Sequence, residues 1–243
     1  MHEIPSGLAD VYRSEGLAAG YAFDRPRVHE QIVGRLRLDR CVKRALDIGC
    51  GAGLSAAALS DVAETVVGLE PQQNMLTHRR AVAPAARFAV GRAERLPFAA
   101  ESFDLITAAG SLNYVDLHRF LPEAGRVLSP EGKLIVYDFG EGRRARGDTA
   151  LEGWFKSFED RYPSPPGYAM DVRALRPQRY EEFEVSISMT FDGYLRYALT
   201  EKPNADREWC QGTLADVFRN ATLDVLFDAY LAVIDPREWI GNI

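Results

Sequence analysis

The sequence predicts an α/β protein with a doubly wound, Rossmann-like sheet of seven strands. The sheet should be mostly parallel, with an antiparallel strand near one edge and helices on both faces. Three observations predict this fold. Apolar segments alternate with helix-forming segments between residues 44 and 140, a glycine-rich turn follows the first apolar segment, and a strictly alternating segment lies near the C-terminus. The 243 residues suffice for one well-buried domain.

The predicted strands are short and rich in β-branched or aromatic residues. They comprise residues 44–49, 65–70, 87–92, 103–110, 133–140, 185–191 and 223–234. Three segments favour helix: residues 54–64 between the first two strands, 72–82 between the second and third, and 117–128 between the fourth and fifth. This alternation indicates right-handed βαβ crossovers and a parallel sheet. In 185–191 every second residue is apolar, which is typical of an edge or antiparallel strand.

The chain is predicted to form a single domain with four parts. Residues 1–40 form an N-terminal helical cap, in which a helix at 24–38 uses Asp24 as N-cap and Pro26 in its first turn. Residues 41–140 form the core that carries the glycine-rich turn. Residues 141–182, rich in Gly, Pro and Arg, are an insertion or lid, and residues 183–243 supply C-terminal strands and a helix.

Composition limits the partners. The net charge of −6 gives no general attraction for nucleic acid, and none is predicted as a partner. No long apolar stretch or secretory leader is present, so the chain is predicted to be cytoplasmic and not to bind membranes. The cysteines and histidines are scattered, so neither a disulfide framework nor a metal site is predicted. The oligomeric state cannot be inferred.

The turn ALDIGCGAG (45–53) is the feature with most chemical content. Its glycines follow a G-x-G-x-G pattern, which lacks the third glycine of the dinucleotide fingerprint, and no phosphate loop occurs elsewhere. The next strand ends on Glu70, whose carboxylate can accept hydrogen bonds from both hydroxyls of a ribose. These residues indicate a ribose-containing ligand with little need for pyrophosphate binding. A purely structural tight turn is the alternative.

Four motifs in order resemble the class I S-adenosylmethionine-dependent methyltransferases, closest to the small-molecule type 11 group. They are ALDIGCGAG, VVGLEP, GRAERLPFAAESFDLI and RVLSPEGKLIVYDF, and the resemblance covers roughly residues 40–140. It implies that residues 41–140 are the cofactor-binding core and that S-adenosyl-L-methionine is the cofactor, with S-adenosyl-L-homocysteine as product. It also implies transfer of a methyl group to an O, N or C atom of a small-molecule metabolite.

The resemblance also assigns cofactor-binding residues. Asp47 would face the amino group of the cofactor, and Glu70 would hold its ribose; the alternatives are a loop-capping Asp47 and a solvated Glu70. Arg92 stands where the family often has an aspartate that accepts from adenine, so either Glu94 or a backbone carbonyl replaces it or that adenine contact is missing. The full set of cofactor-binding residues is Asp47, Gly49, Cys50, Gly51, Gly53, Glu70, Pro71, Met75, Ala93, Glu94, Ala109 and Gly110.

Candidate contacts to the methyl acceptor lie mostly outside the shared core. Those of the N-terminal part are Tyr12, Tyr21 and Arg25, of which Arg25 could instead pair with the methionine carboxylate or lie at the surface. Those farther along the chain are Asn113 and Tyr114, after the fourth strand, and Trp154, part of an aromatic stripe that is alternatively core. No catalytic residue is identified, because no general base stands out.

Two other functions remain open. A non-catalytic protein that binds S-adenosylmethionine would keep the same core without methyl transfer. An NAD-dependent oxidoreductase would share the glycine-rich turn but calls for the third glycine that is missing here. An assay for methyl transfer distinguishes a methyltransferase from the non-catalytic binding protein. A preference for NAD over S-adenosylmethionine would indicate the oxidoreductase.

Overall fold

One sheet organises the part of the chain that the computed structural model describes, residues 15–38, 41–164, 170–219 and 221–239. Eight strands are found there. They are β1 (Val42–Ile48), β2 (Ala63–Glu70), β3 (Arg87–Val90), β4 (Phe103–Ala109), β5 (Leu128–Phe139), β6 (Arg144–Ala145), β7 (Arg179–Met189) and β8 (Leu223–Ile234). All seven predicted strands are present, and the two-residue β6 is the addition.

The sheet follows the order β3-β2-β1-β4-β5-β8, and all pairs from β3 to β5 are parallel. Strand β8 is antiparallel to β5 and to β6, which pair with successive stretches of it. Strand β7 is antiparallel to β8 and therefore runs in the direction of β5. The predicted Rossmann-like sheet with an antiparallel strand near one edge is confirmed, and β8 is that strand.

Helices and three 3-10 turns connect these strands. The helices within the described ranges are α1 (Glu15–Phe23), α2 (Val28–Val33), α3 (Leu54–Leu59), α4 (Arg79–Val82), α5 (Leu117–Val127), α6 (Ala150–Arg161), α7 (Phe191–Glu201), α8 (Arg207–Phe218) and α9 (Pro236–Trp239). The 3-10 turns are Gln73–His78, Leu112–Tyr114 and Val172–Leu175. None of these helices is long and apolar enough to cross a membrane.

The predicted helix at 24–38 is wrong in its extent. Helix α1 ends at Phe23 and α2 begins only at Val28, so two helices flank Pro26. Proline lacks an amide hydrogen and disfavours helical backbone in the residue before it, here Arg25. Asp24 therefore caps no helix; its carboxylate lies 3.0 Å from Arg196 Nε.

Side-chain caps fix the start of the longer helices. Asp116 accepts from the amide of His118 at α5, and Thr190 accepts from Gly193 at α7. Asp206 accepts from the amides of Glu208 and Trp209 at α8. These caps satisfy amides that lack a helical partner and so define where each crossover turns back to the sheet.

Two hydrophobic clusters cover the two faces of the sheet. One joins β-strand residues to helices α2, α3, α6, α7 and α8, and the other joins them to α5 and α9. Leu105 of β4 belongs to the first cluster and its neighbour Ile106 to the second, as expected for successive residues of a strand. Helices on both faces leave the carboxyl ends of the strands accessible.

Candidate functional site

A cleft of about 1240 Å³ opens at the carboxyl ends of four strands. Ile48 of β1, Glu70 of β2, Ala109 of β4 and Asp138 of β5 all line it. In open α/β sheets this edge is where ligands bind. The volume exceeds the range of about 300–1,000 Å³ typical of a site for one small ligand, so it can hold two.

The glycine-rich turn forms one side of this cleft. Gly49, Gly51 and Gly53 have φ values of 65°, 53° and 102°, which side-chain-bearing residues rarely adopt. A Cβ on Gly49 would lie 2.5 Å from Cβ of Ser111, so the turn approaches the end of β4 closely. The glycines at 49 and 51 line the cleft, whereas Gly53 does not. A Cβ there would lie 3.1 Å from Cζ of Phe88, so Gly53 serves packing against β3.

The amides of the turn are mostly committed to β2. The N–H groups of Gly49 and Cys50 donate to the carbonyl of Leu69 at 2.8 and 3.1 Å. The N–H of Gly51 donates to Oε2 of Glu70 at 3.0 Å. A phosphate would need such donors, and here three of them already have acceptors. The turn therefore lacks the free amides of a phosphate-binding loop at these positions.

Glu70 connects the two turns that follow β1 and β2. Its Oε1 accepts from the amide of Gln72 at 2.9 Å, and its Oε2 accepts from Gly51. The residue is only 6% exposed, and burial raises the pKa of its carboxyl group above the usual value. Each carboxylate oxygen can still accept a second hydrogen bond. Glu70 is thus a fixed acceptor at the wall of the cleft.

Asp47 lies beneath the turn and is not among the residues that line the cleft, so its contact to the amino group of the cofactor stays a prediction. It is fully buried, and its two oxygens accept from the hydroxyls of Ser55 and Thr107. Asp47 pairs with Thr107 in the β1–β4 register, so their side chains share one face of the sheet. Burial raises the pKa of Asp47 to about 7, and the nearby Glu70 contributes.

Residues that follow β2 and β3 form the next part of the cleft. It is lined by four residues of the predicted cofactor-binding set, Pro71, Met75, Ala93 and Glu94. Met75 is 2% exposed, so it also belongs to the packed interior. Cys50 lines the cleft too, and its Sγ lies 2.7 Å from where Gly68 would carry a Cβ, so the thiol fills space behind the turn. Burial raises the pKa of that thiol well above its ordinary value.

Arg92 and Glu94 form an ion pair at this part of the cleft. Nε of Arg92 lies 3.3 Å from Oε2 of Glu94, and the arginine side chain is 67% exposed. Oε1 of Glu94 also accepts from the amide of Asp116 at 3.2 Å. The carboxylate of Glu94 is therefore held at the cleft, whereas Arg92 turns its charge toward both the carboxylate and solvent.

Of the residues predicted to contact the methyl acceptor, four line the cleft, one lies in the core and one lies outside the described residues. Tyr21, Arg25, Asn113 and Tyr114 all line the cleft. Arg25 is mostly buried, with Nη1 2.7 Å from Oε1 of Glu201 and its guanidinium 4.2 Å from the centre of the Tyr21 ring. Oδ1 of Asn113 accepts from the amide of Met170 at 2.9 Å. Tyr12 lies outside the described residues.

Trp154 lies in the core and does not line the cleft, contrary to the prediction. It is 6% exposed, its ring stacks on Phe158 at 4.9 Å, and its Nε1 donates to Thr213 at 2.8 Å. The apolar stripe of α6 faces α8 and so follows the ordinary pattern of an amphipathic helix. Only the end of this helix, at Arg161 and Tyr162, reaches the cleft.

Sequence reasoning missed several polar residues of the cleft. Asp138 could have been found, because it is the penultimate residue of β5, at the same edge of the sheet as the predicted end of β4. His29 lies in α2 and Lys202 directly follows α7, so they are far apart in the chain and no spacing indicates them. Nδ1 of His29 lies 3.0 Å from the hydroxyl of Tyr137, and burial lowers the pKa of the imidazole to about 4.

Gly110 allows Asp138 to occupy its place in the cleft. A Cβ on Gly110, whose φ is 62°, would lie 2.8 Å from Oδ1 of Asp138. The same Oδ1 accepts from the amide of Phe139 at 2.8 Å, and burial raises the pKa of the carboxyl group. Ala109 and Gly110 both line the cleft, and the absent side chain of Gly110 leaves room for the carboxylate of Asp138.

Comparisons with known proteins agree with this geometry. Residues 46–136 match the family model described as "Methyltransferase domain". Over 126 residues the chain is 34% identical to an uncharacterized methyltransferase of Mycobacterium tuberculosis, a match that covers 51% of each protein. A demethylmenaquinone methyltransferase of Beutenbergia cavernae is 37% identical over 146 residues, covering 60% of this chain and 58% of that protein. The chain thus spans about half the length of the curated relatives it matches.

A solved structure supports the same fold. The structure of a putative type II methyltransferase from Anaeromyxobacter dehalogenans aligns with a TM-score of 0.66 and 22% sequence identity. The alignment covers 87% of this chain and 98% of that one. Identity at this level supports the shared architecture alone.

Proposed function

We propose that this protein transfers a methyl group from S-adenosyl-L-methionine to a small molecule, since its residues 46–136 match the methyltransferase family model and its relatives are methyltransferases. The observation that carries the proposal is the pairing of Glu70 with the glycine-rich turn at the wall of a cleft large enough for two ligands. The carboxylate suits a ribose, and the turn lacks the free amides that a pyrophosphate would require at its first positions.

The residues fit this cofactor. Oxygens of Glu70 retain acceptor capacity for ribose hydroxyls, and the turn from Gly49 to Gly51 brings bare backbone to the cleft for the methionine part. Pro71 and Met75 offer apolar surface for the adenine, and Glu94 supplies the acceptor that Arg92 cannot. When bound, the cofactor supplies an electrophilic methyl group on a sulfonium.

The chain contributes positioning and exclusion of water rather than a nucleophile. Alignment of two reactants can provide a large part of the acceleration of a displacement reaction. Tyr21, Asn113 and Tyr114 line the part of the cleft that would hold the methyl acceptor. Among the described residues of that part, Asp138 and His29 are able to take up a proton, because burial raises the pKa of Asp138 and keeps His29 neutral at pH 7.

The free thiols suit the cytoplasm, where we place the protein. Three free cysteines are found, Cys41, Cys50 and Cys210, and none forms a disulfide with another, as expected in a reducing compartment. The net charge of −6 supports a small molecule rather than nucleic acid as acceptor. The proposed methyl acceptor atom is an oxygen, nitrogen or carbon of that small molecule.

Methyl transfer is the direct test. The protein would be incubated with S-adenosyl-L-methionine carrying an isotopically labelled methyl group and a panel of small hydroxyl, amine and activated-carbon acceptors. Label in a small-molecule product, with equal release of S-adenosyl-L-homocysteine, supports the proposal. Tight cofactor binding without transfer to any acceptor would favour a non-catalytic binding protein, and the absence of cofactor binding would overturn both.

A further inference from the structure

Lys202 is a buried cation in a distinct part of the cleft. Residues 161–163 after α6 and 200–205 after α7 line the cleft together, and we call them the α6/α7 wall. Lys202 belongs to this wall, and the residue is 7% exposed. Its Nζ donates to the hydroxyl of Ser164, which fixes the side chain. The wall therefore presents an ammonium group whose immediate partner is neutral.

No carboxylate of the described ranges lies within ion-pair distance of Lys202. The nearest carboxylate in sequence is that of Glu201, and it is paired with Arg25, whose Nη1 lies 2.7 Å from Oε1 of Glu201. Glu201 interacts with Lys202 only at longer range. A buried ammonium group without a close anion is costly, and buried charges in proteins are therefore usually paired. The surplus positive charge of the wall thus calls for an anion.

Tyr162 adds a second donor to the same wall. Its hydroxyl oxygen accepts from Nε of Arg161 at 3.0 Å and from the amide of Asp206 at 3.1 Å. Both of these bonds use oxygen lone pairs, so the hydroxyl hydrogen remains available to an acceptor. The amide bond also ties the segment after α6 to the start of α8, which holds the α6/α7 wall in one arrangement.

From these contacts we propose that the methyl acceptor carries an anionic group, a carboxylate or a phosphate, which binds to Lys202 with support from Tyr162. The inference rests on the proposed function, because it assigns the α6/α7 wall to the acceptor. The cofactor assignment uses residues after β1, β2 and β3, whereas Lys202 follows α7. The cleft volume of about 1240 Å³ leaves room for an acceptor beside the cofactor.

Calorimetry on protein saturated with S-adenosyl-L-homocysteine tests this assignment. The probes are phenyl phosphate, benzoate and benzyl alcohol, which share a ring and differ in the charged group. We expect phenyl phosphate or benzoate to bind while benzyl alcohol does not, and the stronger of the two anions identifies the source. In Lys202→Gln the binding of that anion should fall about tenfold or more, since a charged hydrogen bond is lost.

Two controls separate the possible causes. Lys156→Gln removes an exposed lysine of α6 and should leave anion binding unchanged. Lys202→Arg keeps the charge and should retain more anion binding than Lys202→Gln. Thermal unfolding and binding of S-adenosyl-L-homocysteine report whether each variant is folded.

Three results would overturn the inference. They are equal anion binding by wild type and Lys202→Gln, no anion binding by wild type, or a folded Lys202→Gln that loses S-adenosyl-L-homocysteine affinity. The last would assign Lys202 to the cofactor. Failure of the wild-type protein to bind S-adenosyl-L-homocysteine would instead refute the proposed function itself.

Discussion

Replacing Glu70 by alanine removes the carboxylate that the proposed cofactor site depends on. In the structure this carboxylate accepts from the amides of Gly51 and Gln72 at 3.0 and 2.9 Å. In the complex it would also accept from two ribose hydroxyls, and a hydrogen bond to a charged group contributes about 1.5–3 kcal/mol. Loss of both corresponds to about 3–6 kcal/mol, so affinity for S-adenosyl-L-homocysteine should fall by at least about 100-fold.

The same change affects folding less than binding. Two amides lose an acceptor, at a cost of about 1–3 kcal/mol each when buried, but water can reach them through the cleft. Burial raises the pKa of Glu70, so removing the carboxylate also relieves a cost of burying charge. We therefore expect a modest loss in the free energy of unfolding, measured by urea denaturation.

Isothermal titration calorimetry provides the assay, with Glu64→Ala as the matched control. Glu64 is an exposed residue near the start of the same strand, β2. The Glu64→Ala protein should bind S-adenosyl-L-homocysteine like the wild type. A folded Glu70→Ala protein with unchanged affinity would refute the reasoning about the ribose.

Three further predictions concern other residues. Gly110→Ala should lower the free energy of unfolding measured by urea denaturation, because φ is 62° and the new Cβ would lie 2.8 Å from Oδ1 of Asp138. Gly153 lies within α6 with open space around it, so Gly153→Ala should raise the free energy of unfolding by about 0.5–1 kcal/mol. For Asp47, burial raises the pKa to about 7, so its contribution to stability is full below its unfolded pKa near 4 and is lost as pH rises through about 7. Denaturation from pH 4 to 8 should show this decline, and Asp47→Asn should flatten it; an equally steep decline would contradict the assignment. Trp154→Phe should reduce stability without changing affinity for S-adenosyl-L-homocysteine, which calorimetry checks.

Much of the sheet could be predicted because the relevant signals are local. The apolar segments at 44–49 and 65–70 coincide with β1 and β2, and the alternation after residue 185 marks an edge strand. The helix predicted at 24–38 rests on the periodic apolar pattern. In the structure Pro26 interrupts the helical backbone instead, so α1 ends before it and α2 begins after it. The two-residue β6 carries no signal in the sequence, since it exists only through pairing with β8.

The candidate site divides in the same way. Glu70 and the glycines at 49 and 51 follow strand ends, so the sequence places them at the cleft. Asp47 is one residue from the strand end, and its side chain turns to Thr107 because of the β1–β4 register, which sequence alone does not give. His29 and Lys202 reach the cleft through the packing of helices separated by long stretches of chain, so no spacing rule identifies them.

Comparative binding of S-adenosyl-L-homocysteine and NAD to the wild-type protein tests the central claim most directly. Both contain an adenosine, but only NAD carries a pyrophosphate, for which the amides of Gly49, Cys50 and Gly51 are already committed. We predict saturable binding of S-adenosyl-L-homocysteine at one site per chain and no binding of NAD in the same titration range. Binding of NAD without binding of S-adenosyl-L-homocysteine would contradict it.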